Sequence, residues 1–192
     1  MNKKGRVLIM NNKYKKIDDC SIICQSLATT SLIAELHNNN FLESEFFKQM
    51  PLSNTDKEII RNSGIGNPSM LQMMLYSLLV IPKEKFNFIS ANTLDNINDE
   101  LEKLVENENN MSTYKSDINR VDYLRHIRNA VSHSNTRYFI KNQICYVTFY
   151  DKKYSTNEIC RFNMKTENVG RLLDILQMLL KKEINNYIKN RQ

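Results

Sequence analysis

Four glycines and three prolines in 192 residues leave this chain few places to turn sharply. Such scarcity favours long helices over a barrel or sandwich of many short strands. Apolar residues make up 41%, enough for a real core. The length suits one domain, expected to span 1–192. Residues 1–16, with Lys3, Lys4, Arg6, Lys13, Lys15 and Lys16, read as a basic, loosely ordered lead-in with a short strand at 6–10.

Apolar spacing marks out the helices. Cys20, Ile23, Cys24, Leu27 and Ser31 recur at steps of three and four, predicting a helix from about Asp18 to the Asn38–Asn40 run. Shorter helices are expected over 43–49 and 53–61. Asn67-Pro68 is a helix start, with a capping side chain and a proline in the first turn. Met70, Leu71, Met73, Met74, Leu75, Leu78 and Leu79 cover nearly the whole circumference that follows, which predicts a central, buried helix. Leu94, Ile97, Leu101, Leu104 and Val105 form one face of another helix. A long helix is expected over 116–133. Alternation at 137–140 and 144–150 predicts a hairpin, and 159–164 a third strand. Thr166 then starts a helix carrying Val169, Leu172, Leu173, Leu176, Leu179, Leu180 and Tyr187. The expected fold is mainly α: a helical bundle with a small antiparallel sheet before the last helix.

The net charge of +6 tolerates a polyanionic partner without requiring one, and the positive residues are scattered. No CxxC pair exists among Cys20, Cys24, Cys145 and Cys160, so these read as free thiols in a reducing compartment. The apolar stretch 7–10 is too short for a secretory signal, and 70–81 is too short and interrupted to span a bilayer. A cytoplasmic protein with no membrane partner is expected.

Chemistry concentrates in Asp122–His133, which holds two of the three histidines. An α-helix advances by about 100° per residue. Tyr123, Leu124, Ile127, Ala130 and Val131 then share one side and should face the core. Asp122, Arg125, His126, Asn129, Ser132 and His133 share the other, with Asp122, His126, Asn129 and His133 as one ladder. Arg128 sits at the border, its stem on the apolar side. Metal-independent RNA cleavage needs such groups. A 2′-hydroxyl must lose a proton as it attacks phosphorus, and the leaving 5′-oxygen must gain one. Imidazole serves both steps, and a guanidinium holds the charged oxygens. No clustered carboxylates suggest magnesium and no Gly-rich phosphate loop occurs, so neither metal nor cofactor is expected. Tyr138, Tyr146, Phe149 and Tyr150, near Arg137, Lys152 and Lys153, fit cross-strand packing better than base stacking.

The run Leu124-Arg125-His126-Ile127-Arg128-Asn129-Ala130-Val131-Ser132-His133 resembles the signature helix of the HEPN superfamily. Arg128 to His133 is similar to its Arg-x4–6-His motif. The resemblance is specific over about 116–180 and implies a small ribonuclease of the toxin or antiviral-defence type. It assigns Arg128 and His133 as catalytic and Asn129 as the polar modulator. It also implies a homodimer with a shared composite site, RNA as substrate and an antitoxin or defence protein as possible partner. Dimerisation suits the geometry, because residues five apart diverge by roughly 140° on one helix. Asp122, Arg125 and His126 lie outside the motif and Ser132 at a variable position within it; these read either as groups that orient His133 or contact RNA, or as plain surface. An alternative is an inactive HEPN dimer that binds RNA or nucleotides, or regulates a partner.

Overall fold

The computed structural model describes residues 18–82, 90–108 and 110–189. The expected basic lead-in and its strand at 6–10 lie outside them. Within them the chain forms a helical bundle followed by a small sheet and a last long helix, as the spacing predicts.

Helix α1 (Asp18–Asn38) buries Ile23 and Leu27. Two short helices follow, α2 (Glu45–Gln49) and α3 (Asn54–Ser63), each capped by a serine that accepts from the backbone three residues on. Asn67 caps α4 (Pro68–Leu75), accepting from the Met70 amide at 3.1 Å. The chain then widens into a π-helical stretch over Tyr76–Val80. Leu71, Met74, Leu75, Leu78, Leu79 and Val80 are buried here, but Met73 is 61% exposed. The helix is therefore central with one open side, not buried all round. Helix α5 (Ala91–Leu104) packs Ile97 and Leu101 inward.

The long helix expected over 116–133 is broken. A single 3-10 turn covers Lys115–Asp117, and α6 spans only Tyr123–Ser132. Two polar groups set the later start. Asp122 caps the helix, accepting from the Arg125 amide at 3.1 Å. Asn98 of α5 reaches across, donating to the Val121 carbonyl at 2.8 Å and accepting from the Leu124 amide at 3.2 Å. The far end closes in a Schellman motif. Asn135 donates to the Ala130 carbonyl at 2.7 Å and Ser134 to that of Val131 at 3.2 Å. Ser134 takes the left-handed conformation this requires, with φ 55°.

The sheet has four antiparallel strands in the order β1-β4-β3-β2: β1 (Met111–Ser112), β2 (Thr136–Lys141), β3 (Ile144–Lys153) and β4 (Glu158–Lys165). The edge strand β1 is two residues long, too short for an alternation to announce it. Asn142 and Gln143, both at positive φ, turn β2 into β3. Phe139 stacks on its cross-strand partner Tyr146 at 5.4 Å and Phe149 is fully buried, so these hairpin aromatics pack. Helix α7 (Thr166–Lys189) then runs back through the bundle, burying Val169, Leu172, Leu173, Leu176, Leu180 and Ile184. Gln177 accepts from Ser31 of α1 at 2.9 Å. Cys24, Cys145 and Cys160 are free thiols. No described helix is long and apolar enough to cross a membrane.

Ser134 is exposed and carries a left-handed backbone that glycine adopts without a Cβ penalty. Ser134→Gly should raise unfolding stability by about 0.5–1 kcal/mol in urea titrations. A lower stability would contradict this account of the helix end.

Candidate active site

Helix α6 lies against β3, and its polar side divides into two unlike parts. One part is open. His133, the C-capping residue, is exposed, as is Ser132, and Asn129 is half-buried. His133 and Asn129 line a cleft of about 650 Å³ whose other walls carry Lys115, Arg125, Lys152 and Lys153. Its acids are already engaged. Glu158 accepts from Thr156 at 2.6 Å and from the Lys115 amide at 2.9 Å, which with Lys153 nearby holds its carboxyl down at about 2. Lys153 is paired with Glu158 at 3.4 Å and Lys152 lies over the Tyr154 ring, both near the protein surface, so the cleft presents positive charge towards an incoming anion.

The other part is sealed. His126, expected on the open ladder, is fully buried. Helical spacing puts it beside Asn129, but the sheet and the 3-10 turn cover it. Its Nδ1 lies 2.7 Å from Asp151 on β3 and its Nε2 2.8 Å from Asp117. Both ring nitrogens are thus taken, so His126 neither orients His133 nor meets RNA. Tyr114 packs its ring 4.7 Å from the imidazole, and Arg125 lies over the Tyr114 ring. Arg125 also donates to Asp117 at 2.7 Å. Two carboxylates, one imidazole and one guanidinium make a neutral cluster when His126 is doubly protonated.

Burial alone pulls the His126 imidazole down, but its hydrogen bonds to Asp151, Cys160 and Asp117 push it up to about 10. Burial likewise pushes the Asp117 carboxyl up. Hydrogen bonds from Ser112 and His126, with the nearby positive charges, carry it below its ordinary range. Asp151 behaves alike: burial raises it, and donors from His126, Asn129 and Tyr114 bring it down further. Burial, then the charge and hydrogen bond of Asp151, push the Tyr114 hydroxyl up.

Asp117, His126 and Cys160 bring ligand atoms within 4.8 Å of one another, a possible metal set. The spacing fits a proton better. Asp117 and His126 stand at hydrogen-bond distance, and a second carboxylate takes the other ring nitrogen.

Asn129 joins the sealed and open parts. Its Nδ2 donates to Asp151 at 3.0 Å, and its Oδ1 accepts from Arg128 at 3.3 Å. Arg128 is half-buried and faces a second cleft of about 330 Å³, with Asn98, Arg120 and Asp122. Arg125 lines both clefts. The fold therefore gathers Asn129, His133 and Arg125 on one cleft, sets Arg128 and Asp122 on another with Arg125 between, and leaves Ser132 on the open surface.

Asp117, Asp151, Tyr114 and Cys160 escaped the sequence reading. A signal for Asp151 exists: in β3 it continues the inward register Val147, Phe149, Asp151, a carboxylate in an apolar slot. Its cross-strand partner is Cys160, which explains why both meet His126.

A short amphipathic helix with an arginine–asparagine pair and a terminal histidine, packed on a small sheet within a helical bundle, defines a HEPN-type domain. A family model described as HEPN pEK499 p136 matches residues 10–187, and the chain belongs to that family. Membership points to a nuclease-type or RNA-related function. No curated protein and no solved structure matches the chain significantly.

The buried cluster sets the pH dependence of stability. Because His126 is raised in the fold, its contribution is complete below its ordinary 6.5 and fades as pH rises through about 10. The lowered carboxylates act oppositely: their contribution is complete above 3.8 and fades as acid protonates them. Melting temperature should therefore fall from pH 6.5 towards 10, and His126→Gln should flatten that fall. A wild-type melting temperature level over this range would mean a neutral imidazole.

Proposed function

We propose that this chain is a metal-independent endoribonuclease, acting as a homodimer. The observation that carries the reading is His133 standing in solvent, at the free end of the motif helix, on the wall of a lysine-lined cleft. Family membership supports it.

The chemistry follows from the residue types. An imidazole takes the proton of a ribose 2′-hydroxyl as that oxygen attacks the adjacent phosphorus. The phosphorus–5′-oxygen bond breaks, and the leaving oxygen receives a proton from an imidazolium, so that one proton is taken up and one given back. The products are a 2′,3′-cyclic phosphate and a 5′-hydroxyl end. Arg128 offers a planar guanidinium to the charged phosphorane oxygens. Asn129 turns its carboxamide between Arg128 and the cleft. Lys115, Lys152 and Lys153 meet flanking phosphates.

A second copy solves a geometric problem. Within one chain Arg128 and His133 open on different clefts. Two α6 helices packed about a two-fold axis would let the arginine of one copy approach the histidine of the other. Regulation by an antitoxin or a defence-system protein suits an intracellular ribonuclease.

The separation of Arg128 from His133 also favours a second reading, in which the domain binds RNA or nucleotides without cutting or regulates a partner. Purified His133→Ala and Arg128→Ala separate the two. Each should lose at least about a hundredfold in cleavage rate in the presence of EDTA, while keeping the wild-type melting temperature. Wild-type RNA fragments should carry cyclic phosphate ends, and sedimentation should show a dimer. Binding without cleavage by wild type across a broad RNA panel would establish the second reading.

A further inference from the structure

We infer that Asp151, held from behind by His126 and Asp117, is a positioning residue that fixes which way the Asn129 carboxamide faces and, through it, where Arg128 rests. This assignment builds on the ribonuclease reading but stands on hydrogen-bond geometry.

A carboxamide has a donor end and an acceptor end of nearly equal shape, so its surroundings must choose the orientation. An ionised carboxylate only accepts. Asp151 Oδ2 therefore takes the Nδ2 end of Asn129, at 3.0 Å. The Oδ1 end is left towards Arg128, whose Nη2 donates to it at 3.3 Å. Reversed, the carboxamide would set its N–H groups against a guanidinium that has only donors.

Asp151 can impose this choice because it is itself fixed. It is 4% exposed and accepts from His126 Nδ1 at 2.7 Å onto the same oxygen. Tyr114 supplies a further hydrogen bond. His126 cannot swing away, because Asp117 holds its other nitrogen at 2.8 Å. Asp117 in turn is tied by Ser112 and Arg125. The chain of contacts runs from β1 and the 3-10 turn, through the imidazole, to β3 and on to the two adjacent motif residues of α6. Asp151 lies 22 residues beyond Asn129, so the sheet holds from outside the helix the orientation that Arg128 also favours.

The test is a double-mutant cycle on Asn129 and Asp151 in the full chain. Asp151→Asn offers either end of an amide to Asn129, so the part of the preference that the carboxylate imposes is lost. It should lower kcat about tenfold with KM little changed. In the Asn129→Ala background the same change should alter kcat less than about twofold, since the group it acts through is gone. Multiplying losses in the two backgrounds would reveal a purely structural role and overturn the inference. A readout independent of cleavage is the Asn129 side-chain amide in ¹⁵N–¹H spectra, identified by its absence in Asn129→Ala. Its protection from solvent exchange should fall at least about tenfold in Asp151→Asn while backbone resonances hold. Unchanged protection would overturn the inference. Should wild type cleave no RNA, the ribonuclease reading fails and the amide measurement still decides the positioning role.

Discussion

The site depends on one buried ion cluster, the His126 imidazolium between Asp117 and Asp151. Taking such charges out of water costs several kcal/mol per ion, and their attraction offsets this only with good geometry and every hydrogen bond made. Here the two carboxylates and the imidazole meet the requirement, and the Arg125 Nε is the exception, buried without a hydrogen-bond partner. Arg125 supplies the second positive charge, and Ser112, Tyr114 and Asn129 fill acceptor positions left on the carboxylates. A cluster so completed is strongly directional. Replacing one member leaves the others charged and unpaired, whereas apolar contacts would tolerate a shift.

Directionality explains the architecture around the motif helix. Helix α6 has only ten residues, too few to hold itself in place. Its apolar side sets its distance from the bundle through Ile127, Ala130 and Val131, all buried. Apolar packing leaves rotation and sliding comparatively free. His126 removes that freedom, because its two nitrogens must meet carboxylates from two different elements. The caps then define both ends: Asp122 and Asn98 at the start, the left-handed Ser134 at the finish. His133 is left projecting at the edge because everything up to it is fixed.

Most of the bundle was legible because its helices obey a single local rule. Ile23 and Leu27, Ile97 and Leu101, and the Val169–Leu180 stripe bury as their spacing predicts. Asn67-Pro68 started a helix for reasons contained in those two residues. The failures have one physical cause, partners distant in sequence. His126 reads as solvent-facing by polarity, but the carboxylate that seals it arrives from β3, 25 residues later. The break at 118–122 depends on Asn98, well outside any local window. Met73 reads as core because methionine is apolar, yet nothing among the described residues covers that side. Of the candidate residues, Asn129 and His133 line one cleft, whereas the carboxylates of Asp117 and Asp151 beside the motif helix became visible only when the sheet was in place.

Arg125 shows how the buried cluster also limits what the open clefts can do. It borders both of them and reads from sequence as a group that orients His133, an RNA contact or plain surface. Its Nη2, however, is committed to Asp117, a side chain only 2% exposed, and its plane lies over Tyr114. Releasing it to grip a phosphate would strand a buried carboxylate beside His126. Arg125 therefore presents a fixed edge rather than a mobile hand, and contributes to the clefts mainly through its field. The lysines at 115, 152 and 153 differ. Each stands on a turn or strand end at the cleft wall, and none anchors the cluster. Groups that hold the cluster and groups at the cleft wall that can meet a polyanion are thus kept apart, with Asn129 hydrogen-bonded both to the buried carboxylate and to the Arg128 guanidinium.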